Sequence, residues 1–364
     1  MTTIQVGSYK ISKNNPCFLI AEIGNNHQGD INIAKATIDA AINSGVHAVK
    51  FQKRNNKTLF TTEMYNKPYD NENSFGKTYG EHREALELNK EQYIELKQYT
   101  ENKGIVFFAT PFDIESVDFL ESINVPCYKI ASALITDTIL IEYIASKKKP
   151  IFLSTGTATM TDVNRAYNII KKYKIPLCLL HCIASYPMDN YRETNLNVIT
   201  TLKSLYPDTI IGFSSHESGI VLPIAAYMLG ARVIEKHFTL NRSMKGGDHK
   251  FSLEPAGMTK LKRDLDRVYQ SLGSPDKQIQ PSELDAKRKL GKALYSNKVL
   301  NTGDTINGND ICIKCPASGL PPYRLYDIVG RKLKKTILPE TAITEDIIEF
   351  EEKEIMNDTE LLDD

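Results

Sequence analysis

From Cys17 onward, short apolar runs alternate with amphipathic stretches. Residues 17–23, 46–52, 105–110, 126–132, 150–154, 176–182, 209–213 and 231–237 read as buried strands. They are short, rich in branched and aromatic side chains, and bounded by polar or turn residues. Apolar residues at helical spacing fill the intervals, at 31–43, 91–102, 114–123, 136–146, after 160, at 196–205, 220–229 and 257–272. Eight strand–helix rounds are what a (β/α)8 TIM barrel requires, whereas doubly wound sheets rarely sustain the alternation so long. This α/β barrel is assigned to 1–275, a polar linker to 276–289, and a small β-rich module with turns at Thr302-Gly303-Asp304 and Asn307-Gly308 to 290–351. Residues 352–364 are expected to be an acidic, disordered tail. Within the barrel, the polar segment 53–90 reads as a long functional loop.

Composition narrows the partners. Lysine plus arginine equals aspartate plus glutamate, 45 each, so no net field favours nucleic acid or an anionic membrane. No apolar run approaches the roughly 20 residues of a membrane span, and the first sixteen residues are polar. Six scattered cysteines fit a reducing compartment, and a cytoplasmic protein is expected. Cys312 and Cys315 form a C-x-x-C without a second half and read as ordinary strand residues.

Chemistry in such barrels sits at the carboxyl ends of the strands. In chain order those ends hold Glu22; Lys50 and Gln52; Thr110; Lys129 and Ser132; Ser154; His181 and then Tyr186; Ser214 and His216; Glu235 and His237. Lysine is almost never buried without an anionic partner, so Lys50 and Lys129 call for an anion at the mouth. The hydroxyls suit phosphate or carboxylate oxygens. Glu235 and His237 share one face of their strand, and His216 leaves the neighbouring one. Two imidazoles helped by a carboxylate can hold a divalent metal; alternatively each is a hydrogen-bonded residue at a strand end. Two other readings stay open: the lysines pair with Glu22 and Glu235 as a structural network, or Lys129 is a Schiff-base lysine.

The motifs A-E-I-G-N-N-H, V-K-F-Q, A-T-P-F-D, Y-K-I-A-S, L-S-T-G, H-C-I-A-S-Y-P, G-F-S-S-H, I-E-K-H-F-T-L and G-G-D-H-K-F-S-L-E-P occur in this order. In that order they resemble the sialic acid synthases, including N-acetylneuraminate, legionaminate and pseudaminate synthases. The C-terminal module resembles that family's antifreeze-like (SAF) domain. The resemblance, spanning about 15–350, implies condensation of phosphoenolpyruvate with an open-chain N-acylated hexosamine, releasing phosphate and giving a nine-carbon 2-keto acid. It implies that Lys50, Thr110, Lys129, Ser132, Ser154 and Ser214 hold phosphoenolpyruvate. By the same resemblance His216 and His237 ligate Mn2+ or Mg2+, Gln52 assists near the metal and substrate, and Glu22 handles a proton or positions water. Glu235, Asp248 and Tyr186 then bind sugar hydroxyls, and a domain-swapped homodimer is expected.

Departures bear on the sugar. Leu134 stands where the family has an acid, Ala184 where many members have asparagine, and Cys315 interrupts a K-R-P-like motif whose arginine serves the neighbouring subunit's N-acyl group. Lys314 or Arg324 are candidate substitutes. Residues 75–88 resemble a loop of animal-type synthases that use a phosphorylated hexosamine. Lys77, His82 and Arg83 are then phosphate partners, or else part of a solvated charged loop. The competing functions are another phosphoenolpyruvate–aldose synthase, of the nonulosonate, heptulosonate or octulosonate kind, and a sugar-binding relative that has lost turnover.

Overall fold

The computed structural model describes residues 2–350, so the acidic tail expected at 352–364 lies outside the described residues. The chain divides into two compact units after Gly273. In the first, an antiparallel hairpin of β1 (Thr3–Val6) and β2 (Tyr9–Ser12) precedes eight parallel strands. These are β3 (Phe18–Gly24), β4 (Ala48–Lys53), β5 (Val106–Pro111), β6 (Tyr128–Ile130), β7 (Ile151–Ser154), β8 (Leu177–Cys182), β9 (Ile210–Ser215) and β10 (Val233–His237). They close in sequence order, β10 returning to β3, into the expected TIM barrel.

Alternation along each strand decides what the barrel encloses. Phe18, Ile20, Val106, Phe108, Cys127, Phe152, Cys178, Leu180, Ile210 and Val233 form one buried apolar cluster with Ile4, Val6 and Ile11 of the hairpin. The hairpin therefore plugs the amino-terminal end. Followed toward their carboxyl ends, the same inward series turn polar: 18-20-22 ends in Glu22, 106-108-110 in Thr110, 210-212-214 in Ser214, 233-235-237 in His237. Gly212 is required by this packing, since a Cβ there would lie 2.4 Å from a Leu180 methyl and 2.7 Å from the Val233 carbonyl oxygen. A second, larger cluster fills the space between the strands' outer faces and the helices.

Three regions differ from the sequence reading. The hairpin lies within a stretch whose polarity gave no strand signal. Segment 53–90 carries three short helices, Asn56–Leu59, Thr62–Asn66 and Tyr79–Ala85, rather than an unstructured loop. The last has a capping box, Thr78 and Glu81 each bonding the other's backbone N–H. In the second unit, a helix at Leu284–Leu290 occupies residues whose polarity predicts a linker. Strands β11 (Ala293–Ser296) and β12 (Ile311–Lys314) pair antiparallel. A small core that includes Leu294, Leu300, Ile306, Ile328, Leu333, Ile343 and Ile348 lies beneath. Cys312 and Cys315 are both free thiols.

Candidate active site

At the carboxyl ends of the strands lies a cavity of about 290 Å³. Thirteen of the residues singled out in the sequence line it: Glu22, Lys50, Gln52, Thr110, Lys129, Ser132, Ser154, Tyr186, Ser214, His216, Glu235, His237 and Asp248. His181 does not; its Nε2 bonds the Thr194 carbonyl oxygen at 2.6 Å and its ring stacks on Phe213.

The floor is a network of buried charges. Lys50 Nζ stands 3.3 Å from Glu22 Oε2 and 3.3 Å from Glu235 Oε1, and Lys129 Nζ is 3.6 Å from Glu235 Oε1. Ser214 donates to Glu235 Oε1 at 2.9 Å, Gln52 to Glu22 Oε1 at 2.7 Å, and Lys50 to Thr110 Oγ1 at 3.3 Å. The lysine–glutamate pairing weighed as a structural alternative thus exists, but it is not saturated. Glu22 Oε2, Glu235 Oε2 and Ser154 Oγ are buried without a hydrogen-bond partner.

The two carboxyls also differ in charge state. Burial pushes Glu22 up to about 7, with Lys50 opposing and Glu235 reinforcing the rise. Burial acts on Glu235 too, but Lys129 and Lys50 together outweigh it and hold that carboxyl below the usual range. With Glu22 protonated, two ammonium groups face one carboxylate, and the floor has a net positive charge that an anion can satisfy.

At one rim stand the imidazoles, ring centroids 5.3 Å apart. Burial lowers both, His216 and His237, to about 3, so they stay neutral. His216 Nδ1 bonds the Ile183 carbonyl oxygen at 2.8 Å, which leaves Nε2 with its lone pair. His237 Nδ1 is buried without a hydrogen-bond partner, 3.8 Å from Asp248 Oδ2. Two neutral imidazoles with unused nitrogens fit a divalent cation. Among the described residues no group of three or more histidine, cysteine or acidic side chains is arranged as a ligand set, so further donors would be substrate or water oxygens. The polar contacts of Glu235, with Lys50, Lys129 and Ser214, all fall on Oε1, whereas its Oε2 has no hydrogen-bond partner.

The rim also holds residues the strand pattern did not single out. Arg54, one residue past β4, donates to the side-chain oxygens of Gln52 and Asn25 and stacks over Phe112 with 3.9 Å between guanidinium carbon and ring centre. Arg83 lines the same cavity, and its guanidinium donates to the Tyr79 hydroxyl at 2.9 Å. Burial and the charge of Arg83 lower Arg54 to about 10. Of the other loop candidates, His82 is buried and its Nδ1 accepts from the Phe75 N–H at 3.2 Å, while Lys77 is exposed. Leu134 closes a 3-10 turn (Ser132–Leu134) and packs into the outer core, so no carboxylate projects from that turn. Lys314 pairs with Glu340, and Arg324 with Asp327 and Glu345, all within the second unit.

Among described helices none is long and apolar enough to cross a membrane. Residues 37–277 match the NeuB family. The mouse N-acetylneuraminate-9-phosphate synthase is 38% identical over 341 residues, covering 93% of this chain and 95% of the mouse protein. N,N'-diacetyllegionaminic acid synthase of Legionella pneumophila is 35% identical, over 92% of this chain and 95% of its own. The crystal structure of N-acetylneuraminic acid synthetase from Leptospira borgpetersenii in complex with citrate superposes with TM-score 0.69 at 38% identity, over 78% of this chain and 95% of that one. This chain therefore belongs to the NeuB family of sialic acid synthases.

Proposed function

We propose that this chain condenses phosphoenolpyruvate with an N-acetylmannosamine-type aldose to a nine-carbon 2-keto sugar acid, releasing phosphate by C–O cleavage. The observation that carries this reading is the confluence of Lys50, Lys129, Thr110, Ser132, Ser154 and Ser214 with two neutral imidazoles in one cavity. The ammonium groups and hydroxyls would hold the phosphate and carboxylate of phosphoenolpyruvate where little water competes.

A Mn2+ or Mg2+ ion held by His216 and His237 would supply Lewis-acid polarisation of the sugar aldehyde. Asp248 and Tyr186, beside those rings, would orient the sugar hydroxyls. C3 of the enol attacks the aldehyde carbon, and positive charge develops at C2. Water then adds at C2. Glu22, raised to about 7 and so present in both protonation states near neutral pH, is suited in its ionised form to accept a proton from that water, and Gln52 fixes its other oxygen. Collapse of the tetrahedral intermediate breaks the C–O bond to phosphate. Glu235 stays ionised and aligns both lysines.

The sugar is proposed to carry a phosphate. Arg54 and Arg83 bring two guanidinium charges to the rim, met by hydroxyl, amide and aromatic partners, which suits a second anion. We further propose an antifreeze-like second unit, serving the neighbouring subunit's site in a domain-swapped homodimer, and a cytoplasmic location. Phosphate release from phosphoenolpyruvate, measured with N-acetylmannosamine, its 6-phosphate and diamino sugars, tests the whole reading. Release is expected to be fastest with the phosphorylated sugar. No release with any aldose, while phosphoenolpyruvate still binds, would identify a binding protein instead.

A further inference from the structure

Between Glu235 and His237, which face the cavity, Lys236 points out of the barrel and is completely buried. The β9–β10 ladder ends where Lys236 pairs with Ser215, so pairing between these two strands stops just short of His216 and His237, although on its other side His237 remains paired with Glu22 of β3. At that point the Lys236 ammonium takes over. It stands 2.9 Å from Glu217 Oε1, donates to Ser215 Oγ at 3.3 Å, and donates to the Glu217 backbone carbonyl. Ser215 and Glu217 flank His216 on either side, and Lys236 directly precedes His237. One ammonium thus joins the backbone on both sides of one imidazole to the neighbour of the other.

Burying this pair is costly. Glu217 is 1% exposed, and its Oε2 has no hydrogen-bond partner. Well-packed apolar residues generally stabilise such a place at least as well as an ion pair. The pair's geometry is better explained by the two rings it spaces, 5.3 Å apart on the opposite face of the same strand ends.

We propose that Lys236 is a positioning residue which, through Glu217 and Ser215, sets the spacing of His216 and His237 for a divalent cation. This rests on the metal reading above. The test is a Mn2+ titration of the full chain, by calorimetry and by the electron paramagnetic resonance signal of free Mn2+, alongside phosphoenolpyruvate binding. The variants are Lys236→Met and the double variant Lys236→Met/Glu217→Gln.

The single variant leaves a buried unpaired carboxylate and is expected to lower Tm. The double variant removes both charges and is expected to recover the fold. Its Mn2+ Kd should nevertheless weaken by about 10- to 100-fold, the range for residues that orient metal ligands. Its phosphoenolpyruvate affinity should stay within roughly twofold, as expected for a site with no shared partner. A double variant that binds Mn2+ as tightly as the wild type, or loses both ligands equally, overturns the positioning role. Wild-type protein that binds neither Mn2+ nor Mg2+ overturns the metal reading itself, a separate result.

Discussion

Replacing Lys129 by Met tests the anion-binding floor most directly. The substitution keeps the apolar stem and removes the ammonium. Glu235 loses a cation at 3.6 Å but retains Lys50 at 3.3 Å and the Ser214 hydroxyl at 2.9 Å. The carboxylate is therefore not stranded, and the change should fall short of the ~3–5 kcal/mol typical of a buried charge left unpaired. With Glu22 protonated, the floor drops from a net positive charge to neutrality, and phosphoenolpyruvate loses one charge-assisted contact worth about 1.5–3 kcal/mol. At 1.4 kcal/mol per tenfold, that weakens phosphoenolpyruvate by roughly 10- to 150-fold. The sugar, placed near the imidazole rim, should weaken no more than about threefold, or 0.6 kcal/mol. Calorimetric Kd values for phosphoenolpyruvate, and phosphate-release kinetics with each substrate varied in turn, give both numbers. Equal weakening of the two substrates would refute the assigned role. Borohydride treatment of the wild type with the aldose should leave no adduct on Lys129; a trapped adduct would revive the Schiff-base reading.

His216→Ala and His237→Ala should each abolish turnover and leave barrel circular dichroism unchanged; activity that survives both, or resists a chelator, contradicts the metal assignment. Arg83→Met should raise KM for a 6-phosphorylated hexosamine by roughly tenfold, one lost charged contact, and barely alter KM for the free sugar; an equal rise for both would remove the phosphate from the rim. His27 is buried, and burial lowers it to about 4 from the ordinary 6.5. The unfolded chain therefore binds the extra proton first as pH falls, and stability present above pH 6.5 is lost progressively toward pH 4. The loss is on the order of 3 kcal/mol for this residue, and denaturant unfolding of wild type and His27→Gln should show a shallower pH slope in the variant; identical slopes would mean that His27 contributes nothing.

The condensation centre was legible in the chain because it is written in period two. Once the eight strands are placed, parity alone sends Glu22, Lys50, Thr110, Lys129, Ser154, Ser214, Glu235 and His237 inward, and barrel closure brings them together. Parity also sends Lys236 outward although its neighbours face the cavity. Arg54 escaped because it sits one residue beyond its strand, where alternation no longer dictates direction. Arg83 was named only through the resemblance of its loop, as a candidate phosphate partner, because its short helix is held by a capping box and loop contacts that periodicity does not encode. The N-terminal hairpin was missed for a related reason. Its buried residues, Ile4, Val6 and Ile11, are too few to stand out among polar neighbours.

This division has a chemical consequence. The strands contribute two lysines and two glutamates to the floor, a nearly balanced set whose net charge depends on whether Glu22 carries a proton. The guanidinium cations of the rim come from a strand exit and a loop helix. With the roles proposed for these residues, binding of the enol phosphate and choice of the sugar rest on different parts of the chain. Loops tolerate substitution where barrel strands do not, so exchanging segment 53–90 should retune which hexosamine is accepted without disturbing the lysines proposed to hold the common substrate. The turn at Leu134 fits the same logic. Leu134, where the resemblance implies a sugar- or water-binding acid, packs into the outer core here, so the change is expected to fall on one of those two contacts, while Lys50 and Lys129 of the floor keep their carboxylate partners.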